Sequence, residues 1–165
     1  MIDGMIVVTS GGKWRLYYRK WGMMMFSDEY EHNIDAKGRI IVPAKFRYEL
    51  GETFWINRGL DGNICIYPTK EWLKKSEKLE ALSENSRDAR EYVRQMFRLA
   101  SEVTVDNQGR ILISSKLIQL AGLKKACVFV GANKYIELWD AERWQAHNED
   151  AEDLDELAER VHTAG

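Results

Sequence analysis

The chain is poor in residues that build covalent or metal-stabilised frameworks, with two cysteines, two prolines and three histidines among its 165 residues. Two isolated cysteines make neither a disulfide framework nor a metal site. Each lies in a short apolar run, so we expect Cys65 and Cys127 to be buried, reduced thiols of a cytosolic protein. No run of about 18 apolar residues occurs, so no membrane span is expected.

Residues that could carry catalysis are few and scattered. His32, His147 and His162 lie beside no nucleophile and no carboxylate pair at a useful spacing. The chain has no Gly-rich phosphate loop, and DAKGR lacks the alternating acidic ligands of a calcium loop. We therefore predict no enzyme activity, no cofactor, no metal and no small-molecule substrate.

Charge is nearly balanced overall but unevenly distributed. The formal net charge of −2 does not indicate a nucleic-acid partner. From Asp140 onward, however, nine acidic residues accompany two arginines, a net of −7, which leaves +5 on the rest of the chain. Either a basic body faces DNA with the acidic tail turned away, or the tail is simply a solvated helix face.

Residues 1–24 do not resemble a targeting signal, because the apolar piece MIVV is short and the basic residues follow it. One hypothesis is that translation begins at Met25 or Met23, since RKWG back-translates to a purine-rich string like a ribosome-binding region. The alternative is a disordered arm that binds DNA phosphates and stacks on bases. The residues of that arm are Arg15, Tyr17, Tyr18, Arg19, Lys20 and Trp21.

A short motif occurs twice in the chain. NIDAKGRIIVPAKFRYELG (residues 33–51) and TVDNQGRILISSKLIQLAG (residues 104–122) place Asp, Gly and Arg at equivalent positions, 71 residues apart. Each copy predicts a strand, a polar turn and a second strand, with Gly38 or Gly109 supplying positive φ or a close backbone approach in the turn. A short helix is expected next in both copies. Its boundary residues are Pro43 and Gly51 in the first copy, and Ser114 and Gly122 in the second.

The parallel continues through TFWINRGLDGNICIYPTKEW and KACVFVGANKYIELWDAERW, apart from one residue of slippage. Each predicts two strands around a turn and a helix that starts near Thr69 or Asp140, with Trp72 and Trp144 at equivalent places. A unit of about 45 residues is too small to bury a good core alone. We therefore expect the two units to pack together as a pseudo-dimer.

Between the copies, residues 69–100 predict two helices broken by SENS. The second helix has an apolar stripe that suits the core or a subunit contact. Its other face is expected to be solvated or salt-bridged, with phosphate binding as the alternative. The stripe consists of Ala89, Tyr92, Val93, Met96, Phe97 and Ala100, and the other face of Arg87, Arg90, Arg94 and Arg98.

The repeated Asp and Arg suggest two kinds of chemistry. The carboxylate can accept backbone N–H groups of its own turn, or pair with an arginine of the other copy. A guanidinium on a rigid turn can fork onto phosphate or onto guanine O6 and N7, and Lys37 adds a charge without fork geometry. A purely structural ion pair is the alternative, although two symmetric basic turns suit a duplex with its own pseudo-symmetry.

The stretches MFSDEYEHNIDAKGRIIVPAKFR, RGLDGNICIYPTKEW and IELWDAERW closely resemble the MraZ family of bacterial transcriptional regulators over about residues 25–160. The resemblance implies an α+β, mainly β fold. Two AbrB-like swapped-hairpin repeats would form one intrachain pseudo-dimeric barrel with flanking helices. The expected division is an extension at 1–24, repeats at 25–82 and 101–147, a connecting helix at 83–100 and an acidic tail at 148–165.

The resemblance also implies a ring of subunits that binds short G-rich direct repeats in double-stranded DNA upstream of its own division and cell-wall operon. The protein would be cytoplasmic and nucleoid-associated. DNA contacts carry over to Lys37, Arg39, Arg110 and Gln108, with the turns shaped by Asp35, Gly38, Asp106 and Gly109. The second copy has lost a charge, because Gln108 stands where Lys37 does. The alternatives are an AbrB-type dimeric antitoxin or repressor, and a structural oligomer that binds no DNA.

Overall fold

A computed structural model describes residues 25–165 and, before them, only the backbone of two paired strands, β1 (Met5–Ser10) and β2 (Lys13–Tyr18). The expectations about a later start codon and about the side chains of a basic arm lie outside the described residues.

Each copy of the repeat has the predicted order of strand, turn, strand, helix, strand, turn, strand, helix. The first copy consists of β3 (Glu29–Asn33), β4 (Arg39–Ile41), α1 (Ala44–Leu50), β5 (Thr53–Arg58), β6 (Ile64–Tyr67) and α2 (Thr69–Glu80). The second consists of β7 (Ser101–Thr104), β8 (Arg110–Leu112), α4 (Ser115–Ala121), β9 (Ala126–Gly131), β10 (Ile136–Asp140) and α5 (Ala141–Glu149). Helix α3 (Arg87–Phe97) joins the copies, and α6 (Leu154–Thr163) follows the second.

The short helices begin and end at the predicted residues. Pro43 precedes α1 and Gly51 follows it, so the fixed φ of proline opens the helix and glycine ends it. In the second copy the Ser114 hydroxyl accepts the Leu117 N–H, and Gly122 ends α4 in the left-handed conformation. These local signals are confirmed in both copies.

The strands of the two copies are interleaved. One antiparallel sheet has the order β3-β9-β10-β6-β5-β7, and β4 pairs with β8 in a separate two-stranded ribbon. Within this six-stranded sheet, only the β5–β6 and β9–β10 pairs join strands of the same copy. Counted from either edge, the first strand of one copy is followed by the third and fourth strands of the other copy. The two copies are therefore related by a pseudo-twofold axis. The α+β class and the two-repeat organisation are confirmed, whereas closure into a barrel stays a prediction.

The main core is shared by both copies. Ile40 and Ile111 face each other at the centre of the β4–β8 ribbon and are each 1% exposed. Phe46 and Phe54 from the first copy and Phe129 from the second belong to the same buried cluster. Neither copy buries these side chains alone, which is the physical reason for the interleaving.

The two cysteines are buried, as predicted. Cys127 lies in the main core, and Cys65 lies in a second cluster with Trp72. Burial raises the pKa of both thiols to about 11. Both are therefore neutral side chains of the core.

The equivalent tryptophans both pack from a helix onto an aromatic side chain of the sheet. Trp72 stacks on Trp55 with ring centroids 5.4 Å apart. Trp144 lies 5.3 Å from Trp139, and its indole N–H donates to Glu29 at 3.1 Å. These contacts fasten α2 and α5 to their strands.

Helix α3 is held to the body at its C-terminal end. The buried Asn57 side chain donates to the Met96 carbonyl oxygen at 2.6 Å, and Phe97 contacts the edge of Trp72. Met96 is 3% exposed, whereas Tyr92 and Phe97 are each 39% exposed. The apolar stripe is therefore buried at Met96, partly buried at Ala89, Val93 and Ala100, and exposed at Tyr92 and Phe97.

The arginines of α3 are exposed to solvent. Arg94 forms an ion pair with Glu91, and Arg90 donates to the Glu84 carbonyl oxygen at 2.7 Å. The predicted solvated or salt-bridged face is thus salt-bridged at Arg94, and Arg90 is exposed with a hydrogen bond to the backbone. Among the helices of residues 25–165, none is long and apolar enough to cross a membrane.

Candidate nucleic-acid interface

The first Asp–Arg turn is closed by its own carboxylate. Asp35 Oδ1 accepts the backbone N–H groups of Lys37 and Arg39, both at 2.9 Å. Its other oxygen, Oδ2, accepts Arg39 Nε at 3.0 Å. The Gly38 N–H donates to the Asp35 carbonyl oxygen at 3.0 Å. One carboxylate thus fixes both the backbone of the turn and the direction of the arginine.

The second turn repeats this geometry. Asp106 Oδ1 accepts the N–H groups of Gln108 and Arg110 at 2.9 Å, and Oδ2 accepts Arg110 Nε at 2.8 Å. The ion pairs therefore form within each turn and not between the copies. Each uses one of the five guanidinium N–H donors, so the four on the Nη atoms lie outside it.

Both carboxylates are stabilised in the charged form. The backbone N–H of Arg39 is the largest cause that lowers the pKa of Asp35, and the Arg39 side chain and the Lys37 N–H add to it. The pKa of Asp106 is lowered by the equivalent groups, with the Arg110 backbone first. Each turn therefore holds an ionised carboxylate paired with a partly exposed arginine.

The two turns are locked to each other. The Val42 N–H donates to Gly109 O at 3.0 Å, and the Ile113 N–H donates to Gly38 O at 2.8 Å. Gly38 and Gly109 have φ of +82° and +78°, as the sequence predicts. A Cβ atom on Gly38 would lie 2.9 Å from Ile113 O, so the close approach requires glycine. The turns form one rigid unit and not two independent loops.

The outer face of the β4–β8 ribbon alternates charged and apolar side chains. Arg39 lies opposite Leu112, and Ile41 lies opposite Arg110. Ile41 is 42% and Leu112 61% exposed, which is high for side chains of this size. The four residues form a pseudo-twofold surface with arginines on one diagonal and apolar side chains on the other. We call these four residues the ribbon face.

Sequence reasoning missed the apolar half of the ribbon face and a cation beside the second turn. The Arg47 guanidinium of α1 lies directly over Gly109, where a Cβ atom would collide with it. Its counterpart Ile118 of α4 lies over Gly38. Arg47 therefore brings positive charge to the turn that has Gln108 in place of Lys37. Its placement depends on the pseudo-dimer, so no local sequence signal could have found it.

Two further lysines flank the ribbon at equivalent positions. Lys45 and Lys116 lie in the first turns of α1 and α4, and both are exposed. The predicted contact residues Lys37 and Gln108 are exposed at the tips of their turns, each bonded to the local Asp through its backbone. The structure thus brings all four predicted contact residues to one surface. Their role there stays a prediction.

The chain is similar to known proteins over both repeats. A family model described as "MraZ protein, putative antitoxin-like" matches residues 25–95 and again residues 96–164. The chain belongs to the MraZ family. It is 42% identical over 141 residues to the transcriptional regulator MraZ of Clostridium acetobutylicum, which covers 86% of this chain and 99% of the relative. The transcriptional regulator MraZ of Clostridium tetani is 43% identical over the same share of each chain.

The two matches to the MraZ family run through the helices that follow each repeat. The first ends within α3, and the second ends just after α6. In this MraZ-family chain, α3 is therefore the counterpart of α6. Among residues 25–165, no group of three or more His, Cys, Asp or Glu residues could hold a metal ion.

Proposed function

We propose that this chain is a transcriptional regulator that binds double-stranded DNA through the ribbon face and its two turns. The observation that supports the proposal is the pair of rigid arginines, Arg39 and Arg110, related by a pseudo-twofold axis on one ribbon. Membership of a family whose relatives are named transcriptional regulators supports the same class of function.

The turn geometry suits base recognition because the arginine is held before DNA arrives. Asp35 fixes Arg39 through Nε, which leaves the Nη groups to fork onto guanine O6 and N7 or onto a phosphate. A two-stranded ribbon fits the major groove, which is about 12 Å wide. Ile41 and Leu112 lie between the arginines, where they could contact thymine methyl groups.

Phosphate contacts are expected from the flanking cations. Lys37, Lys45 and Lys116 surround the ribbon face and carry no fork geometry, so they would position the duplex without reading it. The first turn should contact DNA more strongly because it has Lys37. Arg47 partly restores the charge of the second turn, with Gln108 as a neutral contact.

One ribbon touches few base pairs, so a single copy should bind weakly. We infer that the chain forms a ring that presents several ribbons to short G-rich direct repeats upstream of its own division and cell-wall operon. Once one ribbon has bound, the contacts made by the other ribbons are intramolecular, which raises avidity by roughly 10²–10⁴. Repeats spaced by about one helical turn, 10–10.5 bp, would keep all sites on one side of the DNA. The regulator would act in the cytoplasm at the nucleoid.

The test is binding to a duplex from directly upstream of its own gene, across a salt series, with Arg39→Ala and Arg39→Lys beside wild type. Loss of a forked contact costs about 1–3 kcal/mol, or about 5–150-fold per contact. The lysine variant should recover phosphate binding but not base preference. Lys74→Ala is the matched control, since Lys74 is an exposed, ion-paired cation on α2 and not on the ribbon.

The outcomes separate the candidate functions. Wild-type affinity in Arg39→Ala would mean that the turns are structural and that the chain is an oligomer without this DNA site. A dimer mass with binding to one palindrome would favour the AbrB-type repressor or antitoxin, in line with the antitoxin-like description of the family. An insertion of half a helical turn between the DNA repeats should abolish the gain in affinity that the ring provides. Unchanged affinity for such DNA would contradict the ring.

A further inference from the structure

An apolar groove of about 730 Å³ runs between α2 and α3. Its floor is apolar, and the arginines of α3 line one rim. Leu79 is 5% exposed at the bottom, whereas Leu82 and Phe97 are each 39% exposed along the walls. Val93 lies between them on α3 and is half-buried. A groove with apolar and charged walls is the kind of surface to which an amphipathic helix binds.

Helix α6 is an amphipathic helix that is exposed along its whole length. Leu154, Leu157 and Val161 recur at i, i+3 and i+7 and are 77%, 38% and 69% exposed. The N-terminus of the helix is capped, since the Asp153 side chain accepts the Asp155 N–H at 2.9 Å. A formed helix with an uncovered apolar stripe indicates a contact that one chain does not make.

The charges of the groove and the helix are complementary. Helix α6 carries Asp155, Glu156 and Glu159 against Arg160. The rim of the groove carries Arg90 and Arg94, and Arg87 and Arg98 lie at the two ends of α3. The α2 side of the groove is acidic through Glu80 and Glu84, which suits the single arginine of α6. The lining therefore offers two arginines to the acidic residues of α6 and two glutamates to its arginine.

The repeat organisation explains why the two helices differ. Helix α3 follows α2 as α6 follows α5, yet α3 is anchored by Asn57 and Trp72, whereas α6 remains fully exposed. The first copy thus has an open groove between α2 and α3, and the second copy has a helix, α6, whose apolar stripe is uncovered.

We propose that α6 of one copy packs into the α2–α3 groove of a neighbouring copy. The groove and the helix are different patches of one chain, so the contact is head-to-tail, and such contacts either close into a ring or extend as a filament. This inference rests on the self-association in the proposed function, but it does not rest on the DNA chemistry of the ribbon face.

The test is cross-linking between two variants, Leu157→Cys and Val93→Cys, co-expressed with tags of different size and then oxidised. The native cysteines are buried and should stay silent. A covalent heterodimer is expected. The matched control replaces Val93→Cys with Leu60→Cys, which is 74% exposed but outside the groove, and it should give none. Failure to cross-link, or a double variant that cross-links only within one chain, would overturn the proposal.

Light scattering distinguishes this failure from failure of the proposed function. Leu157→Glu should reduce the mass of the assembly to small species, whereas Leu60→Glu should leave it unchanged. A monomeric wild type would refute self-association itself. A full-size assembly in Leu157→Glu would refute only the docking of α6, because the ribbon face and its DNA binding are untouched by that change.

Discussion

The equivalent glycines of the two turns provide a sharp test of how the turns are built. Both have positive φ, so an alanine at either position costs about 1–2 kcal/mol in backbone conformation. Alanine also lowers the conformational entropy of the unfolded chain, which stabilises the folded state by about 0.4–1 kcal/mol. The net loss from the backbone alone should therefore be about 1 kcal/mol at either site.

The surroundings of the two glycines differ, and this decides the prediction. At Gly38 the added Cβ lies 2.9 Å from Ile113 O and 3.1 Å from Ile118 Cδ1. That backbone cannot shift easily, because the Ile113 N–H is bonded to Gly38 O. Overpacking of this kind adds about 1–3 kcal/mol. At Gly109 the Cβ meets only the end of the flexible Arg47 side chain, which can move away.

We therefore expect Gly38→Ala to lower the free energy of unfolding by about 2–4 kcal/mol and Gly109→Ala by about 1 kcal/mol. Urea unfolding followed by tryptophan fluorescence, at one protein concentration, measures both. Gly109→Ala should weaken DNA binding more than its small loss of stability explains, because Arg47 is displaced. Equal losses of stability, or a larger loss at Gly109, would refute this account of the turns.

Three further predictions follow from the pKa values. Because burial raises the pKa of Cys65 and Cys127 to about 11, Ellman's reagent should label neither in native protein at pH 8 and both in denaturant. Desolvation and then Arg47 lower the pKa of His32, so an NMR titration of Arg47→Gln should show a rise that stays below 6.5. The pKa of Asp35 is lowered from 3.8 by its hydrogen bonds to Arg39 and Lys37. Its contribution to stability is therefore complete above pH 3.8 and is lost as pH falls through the lowered pKa. A carboxyl ¹³C titration measures that pKa.

Much of the fold was predictable because its signals are local. The glycine of each turn, the residues that bound α1 and α4, and the break between α2 and α3 act on neighbours a few residues away. The repetition of the motif then predicted that two copies would share a core. The arginines of the turns were found for the same reason, since Asp and Arg stand four residues apart in each copy.

The rest of the candidate site depends on contacts between distant parts of the chain. Arg47 reaches the second turn only because α1 packs across the pseudo-twofold axis. Ile41 and Leu112 become a surface only because β4 pairs with β8 in a register that turns Ile40 and Ile111 inward. A one-residue change of register would exchange these faces.

Local sequence is enough to specify the two turns, their glycines and the elements around them, because hydrogen bonds between near neighbours form each turn whatever surrounds it. Three features follow from contacts between distant residues. The two turns lie on one ribbon, Arg47 lies over the second turn, and α6 is exposed while a groove is open between α2 and α3. These outcomes depend on which strands of the two copies pair with each other. That pairing is set by burial of a core that neither copy can form alone.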